Sequence, residues 1–156
     1  MSEWTRWTAP AAVVMAVAAP ANAVQYLTIP EAQKQAFAAA TRFSEVEAGR
    51  VWRAEADGRL AGFFVFDRVI GKHLLIDYAV ALDPNRRVLS VEILQYRESY
   101  GGEIRSPSWL AQFVGKTPTS VVEVDRDIRN ISGATLSSHH VTEGVQRILA
   151  IASRLK

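Results

Sequence analysis

The sequence predicts an α+β domain: a bent antiparallel sheet with an N-terminal helix, a short helix near the end of the sheet and a C-terminal helix packed on it. Three observations lead to that class. Segments rich in valine, isoleucine and phenylalanine follow one another between Val46 and Tyr96, separated by turn signals. One of those signals, Asp57-Gly58, is a dipeptide that strongly favours a two-residue β-hairpin. Helical patterns are confined to the chain before this stretch and to two segments after it.

Taken in order, Thr28-Ile29-Pro30-Glu31 reads as a helix start. Thr28 can cap, Pro30 is tolerated in the first turn and Glu31 completes a capping box. That helix is expected to run to about Ala40, with Ala32, Ala36 and Phe37 on its apolar side. Val46–Ala54 predicts a strand, Asp57-Gly58 a turn, and Leu60–Ile70 a second strand closing at Gly71-Lys72. His73–Leu82 predicts a third, ended by Asp83-Pro84-Asn85. In Arg87–Tyr96, Val88, Val91 and Ile93 are interleaved with polar partners, as in a half-buried strand. The stretch from Arg97 to Arg105 is polar and carries Gly101-Gly102. Ser106 and Pro107 read as the cap and first position of a short helix, Pro107–Val114, stopped by Gly115. Val121–Val124 predicts one more short strand. The last helix is expected to start a few residues past Thr135, with Val141, Val145, Ile148, Leu149 and Ala152 on one face.

Residues 1–23 read as a secretory signal peptide, leaving one domain over residues 24–156. Arg6 supplies a positive start, Ala9–Ala19 an apolar run and Ala21-Asn22-Ala23 a small-x-small cleavage site. The run is well short of the ~20 residues that span a bilayer as a helix. The alternative, a leader kept as an anchor, would leave the protein membrane-associated. The leader holds one acid, Glu3, and one base, so the rest of the chain keeps the overall net charge of +2. A charge that mild, with no lysine–arginine run, argues against a nucleic-acid partner. The absence of cysteine excludes disulfides, thiolate metal sites, iron–sulfur clusters and a Cys-x-x-Cys-His haem attachment.

The segment that says most about function is Ser132-Gly133-Ala134-Thr135-Leu136-Ser137-Ser138. It sets the Thr135 hydroxyl beside a helix N-terminus, where free amides and the positive dipole end favour a phosphate. Gly133 and Ala134 leave room for a bulky group, and Ser132, Ser137 and Ser138 can donate hydrogen bonds. A second stretch, Tyr96-Arg97-Glu98-Ser99-Tyr100-Gly101-Gly102-Glu103, supplies glycines that let backbone approach a planar ring. Tyr100 or Trp109 is a candidate to stack on such a ring.

Together these stretches, with Trp109-Leu110-Ala111-Gln112-Phe113-Val114-Gly115-Lys116 and the Asp83-Pro84-Asn85 turn, resemble the FMN-binding domain family over about Asp57 to Ile151. That family includes the extracytoplasmic flavin subunits of the sodium-translocating NADH:quinone reductase and Rnf complexes, and small soluble relatives. The resemblance implies FMN held through a phosphoester on Thr135. It also implies that Ser132, Gly133, Ala134, Leu136, Ser137, Ser138, Glu98, Tyr100, Gly101, Gly102 and Trp109 line the cofactor, with no catalytic residue of the chain's own. It departs from the family's attachment segment at one position: Arg129 stands where an aspartate is usual, and Asp127 and Asp125 are the nearest acids. The implied protein is an exported, periplasmic electron-transfer flavoprotein. Its implied partners are a flavin transferase that uses FAD and a membrane-bound electron donor. A flavin-dependent sensory or regulatory module and a small flavin reductase with its own substrate are the alternatives.

Other candidates read more weakly. His139 and His140 are adjacent, so on a helix they point about 100° apart and cannot ligate one metal from one face; the expected reading is a solvated first turn, and the alternative is one imidazole near the FMN phosphate or ring, tuning its charge. His73 is expected in a turn or at the surface, with the edge of the flavin ring close to it as the alternative. Asp67, Asp77 and Glu98 have no spacing that demands a catalytic carboxylate set. No Gly-x-Gly-x-x-Gly or P-loop occurs.

Overall fold

In a computed structural model, residues 23–156 are described; apart from Ala23, the leader lies outside them. Six antiparallel strands form one curled, half-barrel sheet in the order β1-β6-β5-β4-β3-β2. The strands are β1 (Val24–Gln25), β2 (Arg42–Glu47), β3 (Val51–Ala56), β4 (Arg59–Ile70), β5 (Leu75–Leu82) and β6 (Val88–Tyr96). Helix α1 (Ile29–Ala36) covers one face of the sheet. The short α2 (Pro107–Leu110) and the long α3 (Thr135–Ala152) lie on the other. This is the α+β arrangement that the sequence predicts.

Because both faces are covered, the central strand β4 reads as an almost unbroken apolar run. Phe63, Val65 and Val69 point into the core under α3, while Phe64 and Phe66 point into a second core under α1. Between β3 and β4 the predicted hairpin forms, with Asp57 and Gly58 both at positive φ (49° and 74°) as a type I′ turn requires. β6 carries two register shifts against β5, opposite Asp77/Tyr78 and Ala81/Leu82. Extra residues of this kind bend a strand and increase its twist, which curls the sheet.

Helix α1 starts as expected. The Glu31 amide donates to Thr28 Oγ1 and the Thr28 amide donates to Glu31 Oε2, a complete capping box. It ends at Ala36, short of Ala40, because Phe37 leaves helical geometry and packs edge-on against Phe43. The expected single strand Val46–Ala54 is corrected to two strands. The chain turns at Ala48–Arg50, with Gly49 at φ 66°, and β2 and β3 pair as a hairpin. Val121–Val124 makes no strand. It is an irregular connector whose Val122 is buried, closed by a single bridge from Val124 to Ile128. The segment predicted as a helix over Pro107–Val114 splits into α2 and a 3₁₀ turn, Ala111–Phe113.

Val141, Val145, Ile148, Leu149 and Ala152 form the buried face of α3, as their spacing predicts. On the same face Gly144 sits over Tyr78: a Cβ there would lie 2.2 Å from the tyrosine hydroxyl. That hydroxyl donates to Asp67 Oδ2 at 3.1 Å, and Arg147 of α3 reaches the same carboxylate at 3.7 Å.

Candidate functional site

Three segments distant in sequence meet at one end of the sheet: the turn Lys72–Leu74 between β4 and β5, the loop after β6, and the start of α3. Strand register brings the first two together, since Ile70 pairs with Leu75 and Ile76 pairs with Tyr96. Tyr96, the last residue of β6, ties in the third. Its hydroxyl donates to the Tyr100 carbonyl and lies 3.5 Å from Ser137 Oγ. Burial raises the Tyr96 pKa, so the phenol keeps its proton for that bond.

Gly101 makes this junction possible. It lies at φ 89°, and a Cβ there would come within 2.6 Å of Tyr96 Oη and 3.2 Å of Ala134 Cβ. The loop therefore rests directly on the residue that precedes α3. Ala134 is small for the same reason. It is buried beneath Gly101, whereas the sequence reading gave it the task of leaving space for a ligand.

Helix α3 begins at Thr135 itself, earlier than expected, with Ala134 as its N-cap. Alanine has no acceptor to offer, no side chain caps the helix, and no acid lies in its first turn. The first intrahelical bond runs from the Ser138 amide to the Ala134 carbonyl, so the amides of Thr135, Leu136 and Ser137 precede it. Thr135 and Leu136 are exposed. Ser138 is turned inward and fully buried, donating to Asn130 Oδ1 (2.8 Å) and to the Thr135 carbonyl (2.9 Å).

Between these segments lies an open cleft of about 680 Å³. Gly133 through Ser137 form one wall, Glu98, Ser99 and Tyr100 a second, and Lys72 and His73 a third. Tyr100 projects from it, 87% exposed. Of the residues singled out from sequence, this cleft gathers Thr135, Gly133, Ala134, Leu136, Ser137, Glu98 and Tyr100. Ser132 faces a neighbouring depression, and Gly102 another on the far side of Tyr100. Trp109 does not line the cleft. Its ring is 5% exposed, stacks edge-on against Phe113 at 5.2 Å and donates its Nε1–H to the Arg129 carbonyl at 2.7 Å.

Lys72 escapes a sequence reading as a site residue, because nothing local ties a β-turn to a helix more than 60 residues later. Two side chains hold that turn in place. Glu98 Oε1 accepts from the amides of His73 and Leu74, the latter at 2.8 Å. Burial alone would raise the Glu98 pKa, but the amides of His73, Leu74 and Lys72 outweigh it and hold the carboxyl below its ordinary value. From α3, His140 Nδ1 lies 2.6 Å from the Ile70 carbonyl and 3.1 Å from that of Gly71. Both partners only accept, so Nδ1 carries the proton. His140 is therefore docked onto the turn, a correction to the solvated position expected for it; His73 sits in the exposed turn as expected.

The three carboxylates considered from sequence are far from forming a set. Asp77 is 6% exposed on the α1 face, bound by Arg97 and Arg68. Asp67 lies beneath α3, and Glu98 serves the turn. Among the described residues no cluster of three or more His, Asp or Glu is placed to hold a metal ion, and no helix is long and apolar enough to cross a membrane. What the cleft offers chemically is an exposed hydroxyl at the positive end of an 18-residue helix, free amides beside it, a cation opposite and an aromatic ring at the rim.

Comparison with known proteins identifies a family. Residues 71–150, just over half of the 156-residue chain, match the family described as "FMN-binding domain". Among solved structures, the crystal structure of NqrC from Shewanella oneidensis is similar: 17% identical, covering 83% of this chain and 75% of that one, with a TM-score of 0.46. Curated protein sequences gave no match.

Proposed function

The chain belongs to the FMN-binding domain family, and from that premise we propose that it is an exported electron-transfer flavoprotein with FMN esterified through its phosphate to Thr135. One observation carries the reading: Thr135 opens α3 on the wall of the cleft, exposed, with no side chain capping the helix. A helix start left uncapped is a donor-rich site for an anion, and a phosphodiester on Thr135 would supply the acceptor that Ala134 lacks.

The residues fit the cofactor. The cleft is within the size range of small-molecule sites. Amides of the first turn and the Ser137 hydroxyl would hold phosphate oxygens, and Tyr100 would lie against the ring. When bound, the flavin supplies one- and two-electron redox chemistry, and the protein supplies tether, orientation and electrostatics. An ester on the phosphate leaves the ring unchanged, so its service is retention of the cofactor. Retention matters outside the cytoplasm, where the leader of residues 1–23 would send the chain. A flavin transferase drawing on FAD and a membrane-bound donor are the partners this role requires.

The test is the intact mass of the protein produced in the periplasm with a flavin transferase, beside Thr135→Ala. A gain of one FMN less water that survives denaturation and is absent from the variant is the expected result. Flavin absorbance that is lost on denaturation would replace the ester with non-covalent binding. A chain with no flavin under either condition would overturn the reading.

A further inference from the structure

Charge in the cleft is unevenly satisfied. Of the charged residues on its walls, Glu98 is engaged by the amides of the turn it faces. Lys72 enters none of the ion pairs among the described residues, whereas Arg68, Arg97, Lys116 and Arg147 each lie against a carboxylate. The cleft that Lys72 lines also carries exposed Leu136 and Tyr100, whose apolar surface strengthens an electrostatic interaction made beside it. The turn that carries Lys72 is fixed from two sides, by Glu98 on the loop after β6 and by His140 on α3. Two elements that already form the other walls therefore hold this cation to the cleft.

We propose that Lys72 sets how much more tightly the cleft holds reduced than oxidised flavin, and that Glu98 and His140 are positioning residues that keep its turn against the cofactor. The inference rests on the flavin reading above and assigns a role that the reading leaves open. Two-electron reduction with uptake of fewer than two protons makes the flavin more negative, so a fixed cation beside it favours the reduced form and raises the midpoint potential. Solvent and salt screen an exposed lysine, which limits the effect to a modest factor.

The experiment is an anaerobic reductive titration of the flavin-loaded full chain, at fixed pH and ionic strength, for the unmodified protein, Lys72→Gln, Lys72→Glu, His140→Ala and His140→Asn. Lys72→Gln should lower the preference for reduced flavin about tenfold, which is about 30 mV for a two-electron couple. Lys72→Glu should lower it further, and added salt should shrink both differences. His140→Ala should shift the potential the same way by less. His140→Asn, which keeps a donor for the Ile70 and Gly71 carbonyls, should return it towards the unmodified value. Equal potentials for Lys72→Gln and the unmodified chain overturn the inference and leave the flavin reading standing. A chain that takes up no flavin, visible in its absorbance before any titration, overturns both.

Discussion

At the start of α1, Thr28 and Glu31 close on each other and satisfy the first turn from within. At the start of α3, on the opposite face of the same sheet, Ala134 offers no acceptor and the first turn holds no acid. The first terminus is complete when the chain folds. The second leaves its first amides without a side-chain acceptor, on one wall of the cleft. A helix start of α1's kind contributes stability; one of α3's kind gives some up locally so that a ligand can supply it. The difference can be read residue by residue, because both helices pack on the same sheet, one on each face.

The largest effect should come from breaking the support beneath α3. Gly101→Ala forces a side chain into left-handed backbone and against Tyr96 and Ala134, and is expected to cost about 2–4 kcal/mol in a urea melt. A variant as stable as the parent would mean that the loop does not anchor the open helix start.

Next in size, Thr28→Ala should cost about 1 kcal/mol and leave flavin loading untouched, since α1 lies on the other face. The same box should respond to acid. Glu31 has its pKa lowered by the Thr28 amide and hydroxyl, so its contribution is present above the ordinary value of 4.5 and is lost as pH falls through the lower folded value. Protection of the Glu31 and Ala32 amides from exchange, relative to the intrinsic rate at each pH, should therefore fall in that window while protection at the first turn of α3, which has no acid, stays unchanged. If both ends loosen together, the contrast drawn here is wrong.

The smallest change sharpens the contrast by making α3 resemble α1. Leu136→Glu places a carboxylate at an exposed position of the first turn, where it should stabilise the ligand-free protein by about 0.3–1 kcal/mol. The same charge should weaken FMN binding to unflavinylated protein several-fold, measured by quenching of flavin fluorescence. Unchanged affinity would remove the helix terminus from the account of the site.

Much of this was legible in the sequence. Thr28 and Glu31 are three residues apart, Asp57-Gly58 are adjacent, and the buried face of α3 follows from a 3.6-residue period. Local rules cover all three. The family resemblance also implied that the Glu98–Gly102 loop and the Thr135 segment belong together, and the structure joins them through Tyr96, Gly101 and Ala134. Elsewhere the local signal was weak or absent. The break at Ala48–Arg50 lies between two stretches that each look extended, and no Asp-Gly or Asn-Gly marks it. Trp109 has the composition of a stacking platform but is drawn into the core under α3, where Phe113 and the Arg129 carbonyl satisfy its ring and its N–H. Lys72 and His140 meet the site only because strand register and helix docking place them there.

The contact between Gly144 and Tyr78 has a consequence at the far end of α3. A side chain at position 144 would collide with the Tyr78 ring, so ring or helix would have to shift, and the notch acts as an alignment pin for α3. Thr135 lies nine residues from that pin, about 14 Å up the helix. A slip of one residue would turn the hydroxyl by about 100° away from the cleft wall. The direction in which the Thr135 hydroxyl faces is thus tied to the fit of Gly144 over Tyr78, further along the same helix.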